Sequence, residues 1–234
     1  MSSLGFYYYF DQYYYLLVIP ALLISFAAQL AVKGTYRRMS AVTCSRGITG
    51  AQAAYNVLRY YGITNVRIEQ VGGKLSDHYD PRDNVIRLSP GVFGSNSVAA
   101  VGIACHEAGH AAQHAQAYKP IKVRNALVPV ANIGSSTGML IAIIGLMMGF
   151  RPIVLIGIIL FSFVVLFQLA TLPVEFNASR RALSVIDETN MLDTDERNKA
   201  RKVLSAAAMT YVAATLVSIA NLLRLILRFS NRRR

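Results

Sequence analysis

The chain has 234 residues, which is enough for one domain. Of these residues 54% are hydrophobic and the mean hydropathy is +0.38, so we expect much of the chain to face lipid. Its net charge of +12 lies beside apolar runs and no base-stacking or groove-reading motif accompanies it, which excludes nucleic-acid binding. Cys44 and Cys105 are too few for a disulfide framework, and we expect two reduced thiols that bind no metal.

Residues 1–33 are predicted to form an aromatic belt followed by a first membrane helix. Six of the thirteen tyrosines lie in residues 6–15, and such amphipathic rings concentrate at a membrane interface. Leu16–Val32 is apolar and, together with the belt, long enough to cross a bilayer. No lysine or arginine precedes this run and three follow within residues 33–38, so the positive-inside rule places the N-terminus outside and the following chain in the cytoplasm.

Residues 34–124 read as a more polar segment that begins with a helix. Thr49-Gly-Ala-Gln52 is a capping-box pattern, which is typical of a helix N-terminus. Gly62 suits the position just after a helix end, so a helix is predicted over about residues 50–61.

Two short strands are predicted next, near Val66–Val71 and Asn84–Leu88, with turn residues around them. Asp77, His78 and Asp80 form a polar cluster between the strands. We interpret this cluster as a turn with Asx-type hydrogen bonds, and a second metal site is the alternative.

The stretch Ser95–Tyr118 contains His106-Glu107-Ala-Gly-His110, the H-E-x-x-H pattern of zinc hydrolases. Histidines four residues apart project from one face of a helix, so both imidazoles can bind one ion. Glu107 can face the water on that ion and take its proton. A chance match on a helix with two hydrogen-bonded histidines is the alternative, but an unpaired Glu on so apolar a helix costs several kcal/mol to bury. Polar N-cap residues at 95–97 support the helix.

Two apolar runs, Ala126–Gly149 and Pro152–Leu172, follow and are separated by Phe150-Arg151. Each would be about 30 Å long or more as a helix, so we predict a tight transmembrane hairpin. The small residues of Gly134–Gly138 should let its helices approach closely. The hairpin returns the chain to the cytoplasm.

Catalytic zinc takes three protein ligands and keeps a fourth position for water. The longer motif with a glycine and a third histidine fails, because Gln113 and Gln116 occupy those places. His114 is one turn further along, but three turns of one straight helix spread their nitrogens over about 12 Å, so we interpret it as a surface or packing residue. Glu175 is the better candidate, near the start of a second helix predicted to have Pro173 in its first turn. A zinc ion there would lie near the cytoplasmic membrane face.

The last apolar segment, about Val203–Leu227, is ambiguous. It is apolar enough to span, but doing so would place five basic residues outside, against the charge rule. Lying along the interface, or packing on the catalytic helices, avoids that conflict. Both alternatives stay open.

Several blocks of the sequence resemble the YugP-like neutral zinc metallopeptidases of bacterial membranes, a family similar to the HtpX and CAAX-prenyl endoproteases, which are gluzincins. The blocks are HEAGHAAQ, PVEFNASRRA and DHYDPRDNVIRLSPGVF, together with the membrane segments. The resemblance covers about residues 40–220, and the two blocks with the zinc ligands are specific in combination.

The resemblance implies that His106, His110 and Glu175 bind Zn²⁺ and that Glu107 is the catalytic general base. The wider gluzincin pattern has an acid four residues after the third ligand, where this chain has Ser179, so that carboxylate is not available to orient a histidine. In the gluzincin fold, an edge strand before the catalytic helix pairs with extended substrate, and Asn84–Ser89 occupies that place.

We therefore expect a mainly α fold with a small β-sheet, an integral membrane gluzincin-like metalloprotease with three or four membrane helices and a cytoplasmic-facing zinc site. The first part, residues 1–33, holds the aromatic belt and first membrane helix. Residues 34–124 form the first half of the catalytic domain with the HExxH helix. The transmembrane hairpin occupies residues 125–172, and residues 173–234 hold the third zinc ligand and the C-terminal hydrophobic helix.

The expected function is a zinc-dependent endopeptidase of the bacterial cell membrane that hydrolyses membrane or membrane-proximal proteins at the cytoplasmic face. Its partners would be a protein or peptide substrate and the lipid bilayer, without nucleic acid, and the residues leave the oligomeric state open. His78, Arg180 and Arg181 are candidate donors to the tetrahedral oxyanion.

Two other functions are alternatives to this one. A site-2-type intramembrane metalloprotease carries the same motif, but its partner motif has an aspartate next to glycine, and this sequence has no Asp-Gly. A non-enzymatic scaffold with structural zinc would have no use for Glu107, and structural sites usually have four protein ligands.

Overall fold

The computed structural model describes residues 11–231, so residues 6–10 of the predicted aromatic belt and Arg232–Arg234 lie outside the described residues. The described chain is mainly α-helical with one small sheet, as predicted. Its α-helices are α1 (Ile19–Met39), α2 (Gly50–Tyr60), α3 (Pro90–Phe93), α4 (Val98–Ala115), α5 (Lys119–Ile133), α6 (Met139–Met148), α7 (Arg151–Glu188) and α8 (Thr194–Asn231). The strands are β1 (Arg67–Gln70), β2 (His78–Asp80) and β3 (Val85–Leu88), and π-helical turns at Tyr14–Val18 and Gly134–Gly138 precede α1 and α6.

The chain divides into two compact units, each built from separate segments. Among the residues that the structure describes, the helical unit combines 11–29, 122–172 and 210–231, and the sheet unit combines Leu30–Ile121 and Pro173–Met209. Within residues 11–231, four helical segments are long and apolar enough to cross a membrane, in agreement with the expected three or four. They are Tyr14–Met39, Lys119–Met148, Arg151–Glu188 and Thr194–Asn231.

Glycines allow the helices of the helical unit to pack closely. A Cβ atom at Gly134 would lie 2.3 Å from the carbonyl oxygen of Leu160, and one at Gly157 would lie 2.4 Å from a backbone nitrogen of α6. Only hydrogen fits at these two positions. Gly149, at φ +70°, turns the chain between α6 and α7. The chain thus forms the predicted helical hairpin, with the close approach expected at Gly134–Gly138.

The C-terminal half of α8 packs inside the helical unit. Ala220 packs against Val18 and Ala21 at the start of the first helix. Leu225 is fully buried among residues of α6 and α7, including Leu146. The last helix therefore lies along both the first helix and the hairpin.

Charged side chains fix which ends of these helices meet. Arg224 Nε and Arg228 NH1 each lie 2.9 Å from Asp11 Oδ2, and Arg224 is only 1% exposed. The guanidinium of Arg151, at the start of α7, lies 5.1 Å from the ring centroid of Phe229. The end of α8, the start of the first helix and the hairpin turn consequently share one end of the unit. This arrangement favours the spanning alternative for the last helix.

The sheet has the strand order β1-β3-β2, with β1 parallel and β2 antiparallel to β3. The two strands predicted from the sequence are confirmed, but the prediction that Asn84–Ser89 is the edge strand is wrong, because β3 is central. The edge next to α4 is β2, in a segment that we interpreted as a turn. The carboxylate of Asp77 accepts hydrogen bonds from Ser89 N at 2.7 Å and Ser89 Oγ at 3.1 Å, which fixes β2 beside β3. No local turn signal reveals such a contact.

The polar cluster around β2 is structural. Asp80 makes the predicted Asx-type bond, since its Oδ1 accepts from Arg82 N at 2.9 Å, and its Oδ2 accepts from Arg87 at 3.1 Å. These bonds hold the pKa of Asp80 below its ordinary value, the Arg82 N–H having the largest effect and Arg87 adding to it. Among the described residues, the group of side chains able to share a metal ion lies elsewhere.

The core of the sheet unit is made of small residues where its helices cross. A Cβ atom at Gly109 of α4 would lie 2.8 Å from the carbonyl oxygen of Ala178 on α7, and Ala178 and Ala182 are fully buried. Gly102 similarly faces Ala200 of α8. Small side chains let backbones approach, so α7 lies close to the face of α4 that carries the histidines.

The prediction that a helix begins near Pro173 is wrong. Pro173 lies inside α7, which continues without a break from Arg151 to Glu188. A proline inside a helix removes one backbone hydrogen bond, but long apolar helices packed by their neighbours tolerate this loss. Glu175 therefore stands on the same helix as the second half of the hairpin.

Candidate metal centre

The two histidines of the HExxH pattern lie one turn apart on α4. Ser97 caps this helix as predicted, since its side chain accepts a hydrogen bond from Ala100 N at 3.2 Å. The Nε2 atoms of His106 and His110 are 3.1 Å apart, and the two rings are nearly perpendicular at 86°. Both nitrogens therefore point to one place.

The third side chain comes from α7. Glu175 Oε2 lies 3.4 Å from His106 Nε2 and 3.7 Å from His110 Nε2. Glu175 is only 7% exposed, so this carboxylate is held away from bulk water beside the two rings. The structure thus brings together the three residues that the sequence singled out as metal ligands.

These three donors fit a tetrahedral zinc ion. Zn–N bonds of about 2.0–2.1 Å at tetrahedral angles place neighbouring donors about 3.3 Å apart. The separations of 3.1, 3.4 and 3.7 Å lie around this value. Two imidazoles and one carboxylate are also a donor set of catalytic zinc, which keeps one position for water. His114 is outside the group, and its ring lies 5.6 Å from the ring of Tyr79, in agreement with its interpretation as a packing residue.

Neutral side chains orient both histidines. His110 Nδ1 lies 3.0 Å from Gln113 Oε1, and His106 Nδ1 lies 3.1 Å from Ser179 Oγ. The amide oxygen of Gln113 can only accept, so His110 Nδ1 donates in this bond, whereas the Ser179 hydroxyl can donate to His106 Nδ1 or accept from it. In both rings Nε2 is directed at the donor cluster. Ser179 thus acts at the position where the gluzincin pattern has its acid.

Gln113 is itself fixed by a buried network that the sequence did not reveal. It is fully buried, and its Nε2 donates to Val174 O at 2.8 Å and to Asn177 Oδ1 at 3.0 Å. The same Asn177 oxygen accepts from Arg181 Nε at 2.8 Å, and Arg181 NH1 donates to Gln116 Oε1 at 2.6 Å. The network ties α4 to α7 across the site. In the sequence, Gln113 is notable only as a departure from the longer zinc motif. Its position three residues after His110 is the signal that could have revealed a hydrogen bond to that ring.

Glu107 lies beside the donor cluster without belonging to it. Its Oε2 accepts a hydrogen bond from the backbone N–H of Tyr79 in β2 at 3.0 Å. The edge strand therefore orients the carboxylate of the HExxH motif. A carboxylate that is fixed near the metal position but is not one of the donors has the placement required of a general base.

Two carboxylates, those of Glu107 and Glu175, act on the ring of His110. Burial alone would lower the pKa of His110, because it disfavours the charged ring. The hydrogen bond to Glu175 and the charges of Glu107 and Glu175 outweigh burial, so that the pKa is raised above its ordinary value. The same field favours a divalent cation.

Neither cysteine takes part in the site. Cys44 and Cys105 are free and buried, and neither belongs to the group of possible metal donors. Burial raises the pKa of the Cys105 thiol, which keeps it protonated and unreactive.

The three candidate oxyanion donors differ in their contacts. Arg181 is committed to the network with Asn177 and Gln116, and its guanidinium lies near the ring of Tyr61. Arg180 is exposed, and His78 Nδ1 lies 2.8 Å from a backbone carbonyl oxygen. These contacts give Arg181 a structural role, and Arg180 and His78 stay as the candidate donors to the oxyanion.

Sequence comparison shows the family of the chain. The family described as "Putative neutral zinc metallopeptidase" matches residues 14–230. A protein of Bacillus subtilis (strain 168) named "Putative membrane protease YugP" is 46% identical over 215 residues, which are 92% of this chain and 96% of that protein. Comparison with solved structures gives no match.

Proposed function

This chain belongs to the zinc metallopeptidase family whose model spans it, and we propose that it is a membrane-anchored endopeptidase that cleaves membrane or membrane-proximal proteins at the cytoplasmic face. Zinc is the cofactor of the family, and peptides or proteins are its substrates. The observation that carries the proposal is the convergence of His106, His110 and Glu175 at separations that suit one zinc ion.

In this proposal His106, His110 and Glu175 hold the metal, as in gluzincins. Bound there, zinc supplies a Lewis acid that makes a water molecule acidic and polarises the scissile carbonyl. Glu107 accepts the proton of the attacking water and passes it to the leaving amine. The N–H of Tyr79 keeps the Glu107 carboxylate in position for both transfers.

We assign substrate pairing to the edge strand β2. The Tyr79 N–H bonds to Glu107 and not to β3, so Tyr79 belongs to a non-hydrogen-bonded pair with Ile86. The carbonyl of Tyr79 consequently points to the same free edge. An extended peptide that pairs there would lie next to Glu107, and pairing through the main chain gives affinity with little sequence preference.

Continuity of the helices supports action close to the membrane. Glu175 lies about 5 Å along α7 from Leu172, the last residue of the hairpin's apolar run. Six basic residues follow between residues 180 and 202, which supports a cytoplasmic location by the positive-inside rule. Substrates held at the membrane surface would reach such a site more readily than freely diffusing peptides.

No specific observation favours either of the two alternative functions. The HExxH helix, α4, is not one of the four candidate membrane spans among the described residues, so an intramembrane site is not favoured. A structural zinc site usually has four protein ligands, whereas the group within residues 11–231 has three.

Two variants test the proposed roles. Glu107→Gln should keep about one zinc per chain and lower proteolysis at least 100-fold, because it removes the base and not a ligand. Glu175→Ala should lose zinc. Membrane proteomes of cells that carry wild-type or Glu107→Gln protein, compared by mass spectrometry, should differ by accumulated precursors in the variant. Undiminished cleavage by Glu107→Gln ends the base assignment, and normal zinc content in Glu175→Ala ends the ligand assignment.

A further inference from the structure

A cavity separate from the candidate metal centre lies in the sheet unit between the last turn of α1 and the first turns of α8. These segments line a cavity of about 980 Å³ that is open to the surface. On α8 its lining includes Asn198, Arg201, Lys202 and Ser205, which are spaced i, i+3, i+4 and i+7 and so share one helix face. On α1, Thr35 and Arg38 line the same cavity.

The cavity has an excess of positive charge. Arg38, Arg201 and Lys202 all line it, and within residues 11–231 none of them has a carboxylate at ion-pair distance. The acidic residue of the lining, Asp195, is already paired with Lys199 at 2.5 Å. Three cations around one space repel one another, and an anion bound among them removes this repulsion.

The donors around the cavity suit a phosphate group. Guanidinium groups such as those of Arg38 and Arg201 bind phosphate oxygens through two parallel hydrogen bonds, and Lys202 adds a point charge. The hydroxyl groups of Thr35 and Ser205 offer further donors of ordinary strength. A phosphate has several strong acceptor oxygens and can use donors from both helices at once.

Both helices that form the cavity change there from apolar to polar sequence. The apolar run of α1 ends at Lys33, so Arg38 lies about 8 Å further along the helix. Along α8 the apolar run begins just after Lys202. Phosphate groups of lipids lie at the level where membrane helices leave the apolar core, and basic side chains at that level attract anionic lipids.

An adjoining cavity offers space for the apolar part of such a ligand. It has a volume of about 710 Å³, and Arg201 lines both cavities. Leu204, Ala208 and Met209 on α8 give it an apolar wall, together with Phe176 and Leu183 on α7. The rest of its lining is polar or charged and includes Ser179, Arg180 and the Asp187–Arg197 ion pair. From the charge, the phosphate-type donors and this wall together, we propose that the two cavities bind an anionic phospholipid, with its phosphate between α1 and α8.

Native mass spectrometry of the full-length protein in neutral detergent tests this proposal, because it counts the lipids bound to each chain. We expect dioleoyl phosphatidylglycerol to bind about tenfold more tightly than dioleoyl phosphatidylcholine. Arg38→Gln and Arg201→Gln should each reduce binding of the anionic lipid about tenfold, since each removes a charged hydrogen bond. Thermal unfolding of both variants should match the wild type, because both side chains are exposed.

Arg37→Gln is the matched control. Arg37 is exposed, lies next to Arg38 on α1 and loses the same charge, but it does not line the cavity. Its effect on lipid binding should stay below twofold. An equal loss in Arg37→Gln and Arg38→Gln would mean general attraction to a basic surface and would overturn the site. Equal binding of both lipids, or inorganic phosphate that binds as tightly as phosphatidylglycerol, would overturn the phospholipid assignment.

Discussion

At the scale of single residues, the candidate metal centre depends on side chains outside the group of three possible metal donors. Gln113 is fully buried, accepts from the ring of His110 and donates to two groups of α7, so its amide has one fixed orientation. An amide is neutral, whereas the carboxylate found in many zinc sites would add a further negative charge to a pocket that already contains Glu107 and Glu175. The neutral partner therefore orients the imidazole without adding to charge repulsion.

Replacement of Gln113 by Ala should weaken zinc binding about 10- to 100-fold, because His110 loses the group that fixes its ring and tautomer. Zinc affinity, measured by competition with a chromogenic chelator, checks this expectation independently of proteolysis. Gln70→Ala, at an exposed position on β1, is the control and should bind zinc as the wild type does. An unchanged zinc affinity in Gln113→Ala would show that the ring is held by its other neighbours.

At the scale of secondary structure, the site exists because two helices cross at very short range. Gly109 lies between the two histidines in the sequence, and its α-carbon faces the backbone of Ala178, one turn past Glu175. A larger residue on either helix would separate them and move the Glu175 carboxylate away from the imidazoles. The glycine in the HExxH motif of this chain is therefore required for the close packing that forms the candidate metal site.

Gly109→Ala should lower both stability and zinc affinity. Its new Cβ atom would lie 2.8 Å from the Ala178 carbonyl oxygen, which forces a backbone shift, and such overpacking costs about 1–3 kcal/mol. Thermal unfolding and chelator competition on the same samples measure the two effects. Gly34→Ala adds a methyl group with nothing within 4 Å and should be neutral or stabilising. Wild-type behaviour of Gly109→Ala in both measurements would contradict the argument from close packing.

A buried ion pair connects the first and last helices of the helical unit. Asp11 supplies a carboxylate to Arg224 and Arg228, and its own exposure is 9%. Asp11→Ala should destabilise the protein by about 3–5 kcal/mol, because a buried guanidinium then loses this carboxylate. Chemical unfolding in detergent provides the measurement. Asp83→Ala removes an exposed ion pair with Arg87 and should change stability by less than about 1 kcal/mol, so equal effects of the two variants would refute the role of burial.

At the scale of the whole molecule, the contacts within the helical unit predict the membrane topology. The end of α8 meets the start of the first helix and the hairpin turn, so all three should be on one side of the bilayer. Three basic residues follow the first apolar run and none precedes it, so the positive-inside rule predicts that this side of the bilayer is the outside. The basic residues near the C-terminus are then exceptions to the positive-inside rule. Two of them, Arg224 and Arg228, form ion pairs with the carboxylate of Asp11.

Single cysteines introduced at Phe150, Asn231 and Ser40 test this topology. A membrane-impermeant thiol reagent applied to intact cells should label Phe150→Cys and Asn231→Cys, whereas Ser40→Cys, at the far end of the first helix, should react only after lysis. Cys44 and Cys105 are buried and should give little background. Labelling of Asn231→Cys only after lysis would mean that α8 does not span.

Local signals in the sequence were sufficient for much of the fold and of the candidate site. The Thr49–Gln52 capping box, the hairpin and the cap of α4 all appear where the pattern indicated, because each depends on residues within a few positions of one another. Glu175 was found by motif chemistry and joins His106 and His110 in the structure. Its role as a ligand stays a prediction, as does the division of the chain into four parts.

Long-range contacts decided the rest. The edge of the sheet depends on hydrogen bonds between Asp77 and Ser89, and Pro173 sits inside α7 because flanking packing outweighs its local cost. Ser179, the partner of His106, comes from the tertiary structure in the same way, whereas Gln113 lies on the same helix as His110. By itself the sequence determined the metal-binding residue types, the apolar helices and their charge bias, since these are properties of short segments. The tertiary structure alone decided which strand faces Glu107 and where the last helix packs, because those depend on groups distant in the chain.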